Sequence, residues 1–315
     1  MAGRRRGEMK SGASGSSDAA GRAVAEPSGS TGPSKRDLAA GLYIVATPIG
    51  HASDITLRAL EILRGVDLIA CEDTRVSAKL LAIHEIATRR LAYHDHNAER
   101  VRPLLLARLE AGERVALISD AGTPLISDPG YKLVRAAISA GIPVRTVPGA
   151  SAALAALVVS GLPSDRFLFA GFLDARGSAR RRDLGHLAGL DATLVFYESA
   201  QRLAASLADM AEILGDRPAA VARELTKFYE EVVRDGLSGL ARHYALTGPP
   251  KGEIVIVVGP PLDAAPAAEA EIDTLLREAL GRASLRDAAA EIAARLDLPR
   301  REIYARALLL ARETT

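Results

Sequence analysis

Apolar residues in this chain come as short unbroken runs, each followed by a stretch with helical spacing. Leu42-Tyr43-Ile44-Val45-Ala46, Val66 to Cys71, Leu91-Ala92-Tyr93, Arg114 to Ser119 and Val144 to Val147 are apolar without strict alternation. That pattern belongs to strands of a parallel sheet with helices on both faces. The spacing predicts helices through Leu57, Leu60, Ile62 and Leu63, through Leu80, Leu81 and Ile83, over 98–111, and through Leu133, Val134, Ala137 and Ile138. Asp54 and Asp128 are the expected caps of the first and last, with Pro129 at the first helical position. Five βα units in succession predict a doubly wound parallel sheet, with 41–161 as an N-terminal α/β domain.

A break follows at Gly161-Leu162-Pro163-Ser164-Asp165. Strands are predicted at Phe167 to Phe172, Thr193 to Tyr197, Ala219 to Ala222, Glu231 to Arg234 and Glu253 to Val258, with a helix from Ser199 to Leu214 and a basic loop from Asp174 to Arg182. This is a second α/β domain over 162–260, and its looser alternation predicts a mixed sheet. Pro260 to Pro266 reads as a linker. The remainder, 268–315, is a helical appendage in which Ser284-Leu285-Arg286-Asp287 resembles a capping box and Pro299 opens the last helix. That helical pair suits a helix-turn-helix contacting RNA, or a packing appendage. Residues 1–40, rich in Gly, Ser, Ala and Arg and lacking aromatics, read as a disordered tail.

Composition narrows the function. At 48% hydrophobic and 25% charged residues the chain has an ordinary globular make-up. A net charge of +1 gives no global attraction to nucleic acid, so RNA binding must rest on local patches. The densest is Arg176, Arg180, Arg181 and Arg182, expected to hold RNA phosphates. Cys71 is the single cysteine, which excludes a disulfide framework and a cysteine-rich zinc site and points to the reducing cytoplasm. No apolar run approaches the roughly 18 residues of a membrane span. Arg4-Arg5-Arg6 has no apolar segment behind it, so no secretory signal is expected.

The stretch from Ser119 to Gly130, Ser-Asp-Ala-Gly-Thr-Pro-Leu-Ile-Ser-Asp-Pro-Gly, joins a buried strand to a helix start. It lies at the carboxyl edge where open α/β sheets bind ligands, and Gly122 and Gly130 let backbone come close to one. Neither a Walker-type loop nor Gly-x-Gly-x-x-Gly is present there. His94 and His96 would share one face if their strand continued, but no third ligand is evident and no metal site is expected.

Leu42 to Gly50, Glu72-Asp73-Thr74-Arg75, His94-Asp95-His96-Asn97, Ser119 to Gly130 and Ala222 to Lys227, taken in this order, resemble the ribosomal RNA small subunit methyltransferase I family. This is the 2′-O-methylase of a 16S rRNA cytidine, within the tetrapyrrole-methylase superfamily. Two departures are His51-Ala52-Ser53, where the family usually has Asn-Leu-x, and Ala150, where Pro is usual. The resemblance implies two α/β domains with S-adenosylmethionine in the cleft between them, a homodimer, and 16S rRNA or the small ribosomal subunit as partner. It also implies cofactor contacts from Pro48, Ile49, Gly50, Asp120, Gly122, Thr123, Ala150, Ser151, Tyr197, Arg223 and Glu253. Methyl transfer to a ribose hydroxyl is helped by a base or a cation near the developing alkoxide. Glu72 and Asp73 are candidate bases, or caps of the following helix; Lys227 is a candidate cation, or a phosphate-contacting lysine. C-methylation of a tetrapyrrole and a non-catalytic RNA-binding or ribosome-assembly role are the alternatives.

Overall fold

The first sheet is covered on both faces, which explains the unbroken apolar runs. In the computed structural model, which describes residues 38–262, 269–296 and 298–313, its strands are β1 (Gly41–Val45), β2 (Leu68–Cys71), β3 (Arg90–Ala92), β4 (Arg114–Ile118) and β5 (Val144–Val147). All pair in parallel, in the order β3-β2-β4-β1-β5. Successive residues of a strand point to opposite faces. Tyr43, Val45, Ile69 and Cys71 accordingly pack under α1 (Leu57–Gly65) and α2 (Thr74–Ile83). Leu42, Leu68, Ala70 and Val115 pack under α3 (Ala98–Glu110) and α4 (Tyr131–Ser139).

The second sheet is mixed, as its looser pattern predicts. It comprises β6 (Phe167–Phe172), β7 (Thr193–Ser199), β8 (Pro218–Arg223), β9 (Glu231–Gly236) and β10 (Glu253–Val258), in the order β6-β7-β10-β8-β9. Only β6 and β7 run parallel; the other pairs are antiparallel. One face is covered by α6 (Gly177–Leu187), α7 (Leu203–Leu214) and α8 (Leu237–Thr247). On the other lies α5 (Ala152–Ser160), whose Ala153, Ala156 and Leu157 pack against Val195, Ala222, Val255 and Val257. The chain therefore crosses between the sheets before Ala152, ahead of the break at Gly161. Helix α5 is apolar all round, so its sequence carries no stripe to show which sheet it covers.

Three local expectations are corrected. Asp54 closes a short 3₁₀ turn, Ala52–Asp54, and α1 is capped instead by Thr56, whose hydroxyl accepts from the Ala59 N–H at 3.1 Å. Thr56→Ala should lower stability by about 1 kcal/mol, read as a shifted urea midpoint at unchanged m-value. Asp128 does not cap α4, because Gly130 at φ 134° delays that helix to Tyr131. The stretch from Asp174 to Arg182 is not all loop. Helix α6 begins at Gly177 and buries Ala179, Leu184 and, between them, Arg180, so the inward stripe of the helix includes an arginine and its sequence reads as polar.

Helices α9 (Glu269–Leu280), α10 (Leu285–Leu296) and α11 (Arg300–Glu313) enclose a core of their own around Leu276, Ala289, Ile292, Ile303 and Leu310. The Ser284 hydroxyl accepts from the Asp287 N–H at 3.3 Å and donates to its carboxylate at 2.7 Å, which caps the start of α10 by a side-chain pair and not by the reciprocal backbone bond of a capping box. Arg306 pairs with Asp273 at 2.6 Å, which ties α11 to α9. The tail over 1–37 and linker positions 263–266 lie outside the described residues.

Candidate active site

Three loops at the carboxyl edge of the first sheet are laced into one wall. Thr47, after β1, and Gly122, after β4, exchange both backbone hydrogen bonds at 2.9 and 3.0 Å. The Thr47 hydroxyl donates to the Ser119 carbonyl at 3.2 Å, and the Thr123 hydroxyl donates to the Ala150 carbonyl at 3.0 Å, which brings in the loop after β5. Between Gly122 and Gly130 the backbone is left-handed at Leu125 (φ 74°) and Ser127 (φ 64°). Non-glycine residues in that region gather where structure serves a ligand. A Cβ at Gly130 would sit 2.7 Å from Leu117 Cδ2, so only glycine fits there.

This wall faces the second sheet across a cavity of about 430 Å³. Ile49, Gly122, Thr123, Asp128 and Ser151 line it from one side, and Tyr197, Glu198, Leu225, Glu253 and Val255 from the other. Its size falls within the roughly 300–1,000 Å³ of small-molecule sites. Tyr197 is held between two rings, Phe169 at 4.8 Å and Phe172 at 5.5 Å between centroids, both edge-on.

The three carboxylates on the cavity differ in what they can do. Glu198, with 1% of its side chain exposed, accepts from Ser206 Oγ at 2.6 Å and the Ser199 N–H at 2.7 Å and pairs with Arg202 at 2.6 Å, so its charge is spent on structure. Glu253 is exposed and pairs with Lys227 Nζ at 2.9 Å. Asp128 forms no ion pair among the described residues. Burial pushes its carboxyl up to about 6, and neighbouring Asp120 adds to this against a hydrogen bond from Ser119. A group with that affinity accepts a proton effectively near neutral pH.

Of the residues expected at the cofactor, Ile49, Gly122, Thr123, Ser151, Tyr197 and Glu253 line the cavity. Pro48, Gly50 and Ala150 belong to its supporting loops; a Cβ on Gly50 would sit 2.5 Å from Lys227 Cγ, so this glycine lets the two halves meet. Asp120 turns away, its Oδ1 accepting from the Asp73 N–H at 3.0 Å. Arg223 lies on the opposite face of β8, its Nε on Glu231 at 3.1 Å and another guanidinium nitrogen on the Lys251 carbonyl at 3.1 Å.

The expected catalytic groups fare unequally. Asp73 caps α2, accepting from the Arg75 N–H at 2.8 Å, and hydrogen bonds from Arg75 hold its carboxyl down at about 2, too acidic for a base. Glu72 is raised by burial, then by Asp120, Asp128, Asp95 and Asp73, but does not line the cavity. Lys227 is held by Glu224 at 2.8 Å and Glu253 at 2.9 Å. Burial pulls its pKa down and those two partners more than restore it, so it stays cationic beside the cavity. In the arginine cluster, Arg180 is 7% exposed and bound to Asp209, which removes it from any RNA contact. Arg181 shares Asp209, Arg176 pairs with Asp174, and the one ion pair of exposed Arg182 among the described residues is with Asp183, at 3.9 Å. Among the described residues no group of three or more His, Cys, Asp or Glu is placed to hold a metal.

Sequence reasoning missed Asp128, Glu198 and Leu225 as cavity residues. Asp128 carried no local signal, since Asp-Pro has the chemistry of a helix start and the positive φ of Gly130 shows only in the structure.

The family model for Tetrapyrrole (Corrin/Porphyrin) Methylases matches residues 41–241, and the RsmI C-terminal HTH domain model matches 266–311. Ribosomal RNA small subunit methyltransferase I of Mesorhizobium japonicum is 52% identical over 276 residues, covering 87% of this chain and 94% of that protein. The protein of the same name from Erythrobacter litoralis is 52% identical over 277 residues, covering 88% and 98%. Among solved structures, the cobalamin biosynthetic enzyme cobalt precorrin-4 methyltransferase shares the fold, with TM-score 0.54 at 21% identity over 69% of this chain and 94% of that one. Uroporphyrin-III C-methyl transferase from Thermus thermophilus, complexed with S-adenyl homocysteine, has TM-score 0.51 at 22% identity, covering 70% and 97%. From the paired sheets through the terminal helices, the chain belongs to the ribosomal RNA small subunit methyltransferase I family.

Proposed function

We propose that the protein transfers the methyl group of S-adenosylmethionine to the 2′-hydroxyl of a cytidine ribose in 16S rRNA. Identity of 52% across nearly the whole length of relatives bearing the rRNA methyltransferase name carries the reading. The cavity fits the cofactor. Gly122, Thr123, Ile49 and Ser151 would hold it from the first sheet and Tyr197 from the second, with side-chain hydroxyls for its polar ends and aromatic and aliphatic walls for its rings. When bound, the cofactor supplies an electrophilic sulfonium methyl.

The rest falls to the chain's own residues. Ile49, Leu225 and Val255 keep water from the reacting atoms, and the laced loops hold acceptor and donor in line. Asp128 takes the 2′-hydroxyl proton as the oxygen attacks. Lys227, cationic at the rim, favours the developing alkoxide or a neighbouring phosphate. Arg176 and Arg182, exposed on and before α6, contact backbone phosphates.

Labelled methyl transfer to small subunits, free rRNA and a tetrapyrrole tests the reading. Label should enter 16S rRNA and survive alkali as a dinucleotide, because a methylated 2′-oxygen cannot attack the next phosphate. Label on a base or on the tetrapyrrole, or no transfer, overturns it. The reading includes a homodimer in the cytoplasm. The outward face of α5, where Leu154 and Val158 are exposed, supports the dimer, and sedimentation checks it. No described helix is long and apolar enough to cross a membrane.

A further inference from the structure

A second cavity, of about 550 Å³, opens on the other face of the second sheet and is lined by Arg223, Tyr229, Glu231, His243, Tyr244 and Lys251. It lies at the same end of the sheet as the first. Ala222 and Leu225 face the first cavity while Arg223 and Tyr229 face the second, and Gly252 lines one while Lys251 lines the other. Adjacent Cα atoms are only about 3.8 Å apart, so the two cavities are back to back across the edge of β8 and β10. The β8–β9 loop, Glu224 to Glu230, spans that edge, with left-handed backbone at Glu224 (φ 50°) and Thr226 (φ 63°).

That loop exposes what a protein ordinarily buries. In a chain with five phenylalanines and no tryptophan, Phe228 is 92% exposed and Tyr229 beside it 67% exposed, their rings perpendicular at 5.0 Å. Behind them Tyr244 is only 4% exposed, yet its buried hydroxyl has no hydrogen-bond partner among the described residues. Such a group is costly unless something supplies the missing bond. Lys251 is exposed and makes no ion pair among the described residues, whereas the one carboxylate on the cavity, Glu231, is occupied by Arg223. Exposed aromatic faces beside an uncommitted cation are the chemistry that binds single-stranded nucleic acid, by stacking bases and tracking phosphates.

We propose that the β8–β9 loop and the cavity behind it hold a nucleotide adjoining the methylated one, with its base on Tyr229 and its phosphate on Lys251. The RNA strand then bends over the loop, the target ribose entering the first cavity and its neighbour the second. This rests on the reading of the protein as an rRNA methyltransferase and deepens it, since the substrate must present an unpaired segment of at least two nucleotides.

The test is the full chain carrying Tyr229→Ala and Lys251→Ala together, both side chains exposed and neither in the methyl-transfer cavity. Affinity for a short single-stranded oligoribonucleotide should fall about five- to hundred-fold. The salt slope of binding should flatten by about 0.7, KM for rRNA should rise at nearly constant kcat, and S-adenosylmethionine affinity should not change. Tyr229→Phe, which keeps the stacking face, should bind as the parent does. Unaltered oligonucleotide affinity overturns the proposal, and so does a change in sedimentation of the RNA-free protein, which assigns the surface to a second copy. A raised KM on assembled subunits alone, with naked RNA bound normally, assigns it to a ribosomal protein and also overturns it. The two readings fail separately. Absence of transfer by the unaltered protein overturns the methylation reading and leaves the affinity measurement decisive here, whereas full transfer by the double variant at unaltered KM overturns only this inference.

Discussion

Asp128→Asn is expected to lower methyl transfer about a hundred- to ten-thousand-fold while S-adenosylmethionine affinity stays within a few-fold. The substitution keeps shape and hydrogen-bonding reach and removes only the capacity to take a proton. In the parent protein the carboxyl has its pKa at about 6, so kcat/KM should rise as pH rises through that value and level off above it. The amide variant should lose that limb and leave a low, flat profile. Glu198→Gln is the contrasting change, because Glu198 is bonded to Ser206, Ser199 and Arg202 inside the wall and acts on position, not on protons. It should slow transfer with the pH limb retained. An Asp128→Asn protein that keeps its kcat while its KM for S-adenosylmethionine rises many-fold would make Asp128 a cofactor ligand and leave the 2′-hydroxyl without a base from this chain.

Much of this site was legible before the structure because it is built from strand ends. The runs at Leu42, Leu68 and Val115 are apolar at every position since each strand alternates between two covered faces, and that fixes a parallel sheet whose carboxyl edge carries Thr47, Gly122 and Ser151. What stayed hidden depends on contacts between residues far apart in sequence. Asp128 followed by Pro129 has the local chemistry of a helix start, and only the φ of Gly130 moves the start on and leaves the carboxylate in the cavity. Glu198 ends an apolar strand as any surface residue might; its burial follows from Arg202 and Ser206 on the next turn and helix. In the loop after β8 the sequence singles out Lys227, whereas Leu225 enters one cavity and Tyr229 the other.

The arginine run of α6 shows the same limit, and its consequence is large enough to measure. Arg180 and Asp209 are each under a tenth exposed, and the Asp209 carboxylate takes Arg180 on one oxygen at 2.6 Å and Arg181 on the other at 2.7 Å, clamping α6 to α7. Asp209→Ala leaves the Arg180 guanidinium buried without its counter-charge and should cost about 3–5 kcal/mol of unfolding free energy in urea. Against a total of about 5–15 kcal/mol for a native domain, that brings the variant close to unfolding at working temperature. Removing both charges is a different perturbation: Arg180→Met with Asp209→Leu exchanges the pair for apolar contacts of similar volume and should recover most of the loss. Arg182→Ala, on the exposed side of the same helix, should change stability by less than about 0.5 kcal/mol while weakening RNA binding. Simultaneous alanine substitution of Arg180, Arg181 and Arg182 would therefore mix a folding defect with a binding defect, and only the single Arg182 change reads phosphate contact cleanly. If Asp209→Ala melts like the parent, the guanidinium of Arg180 reaches water in solution, α6 is held by Ala179 and Leu184 alone, and the cluster regains its place as an RNA-facing patch.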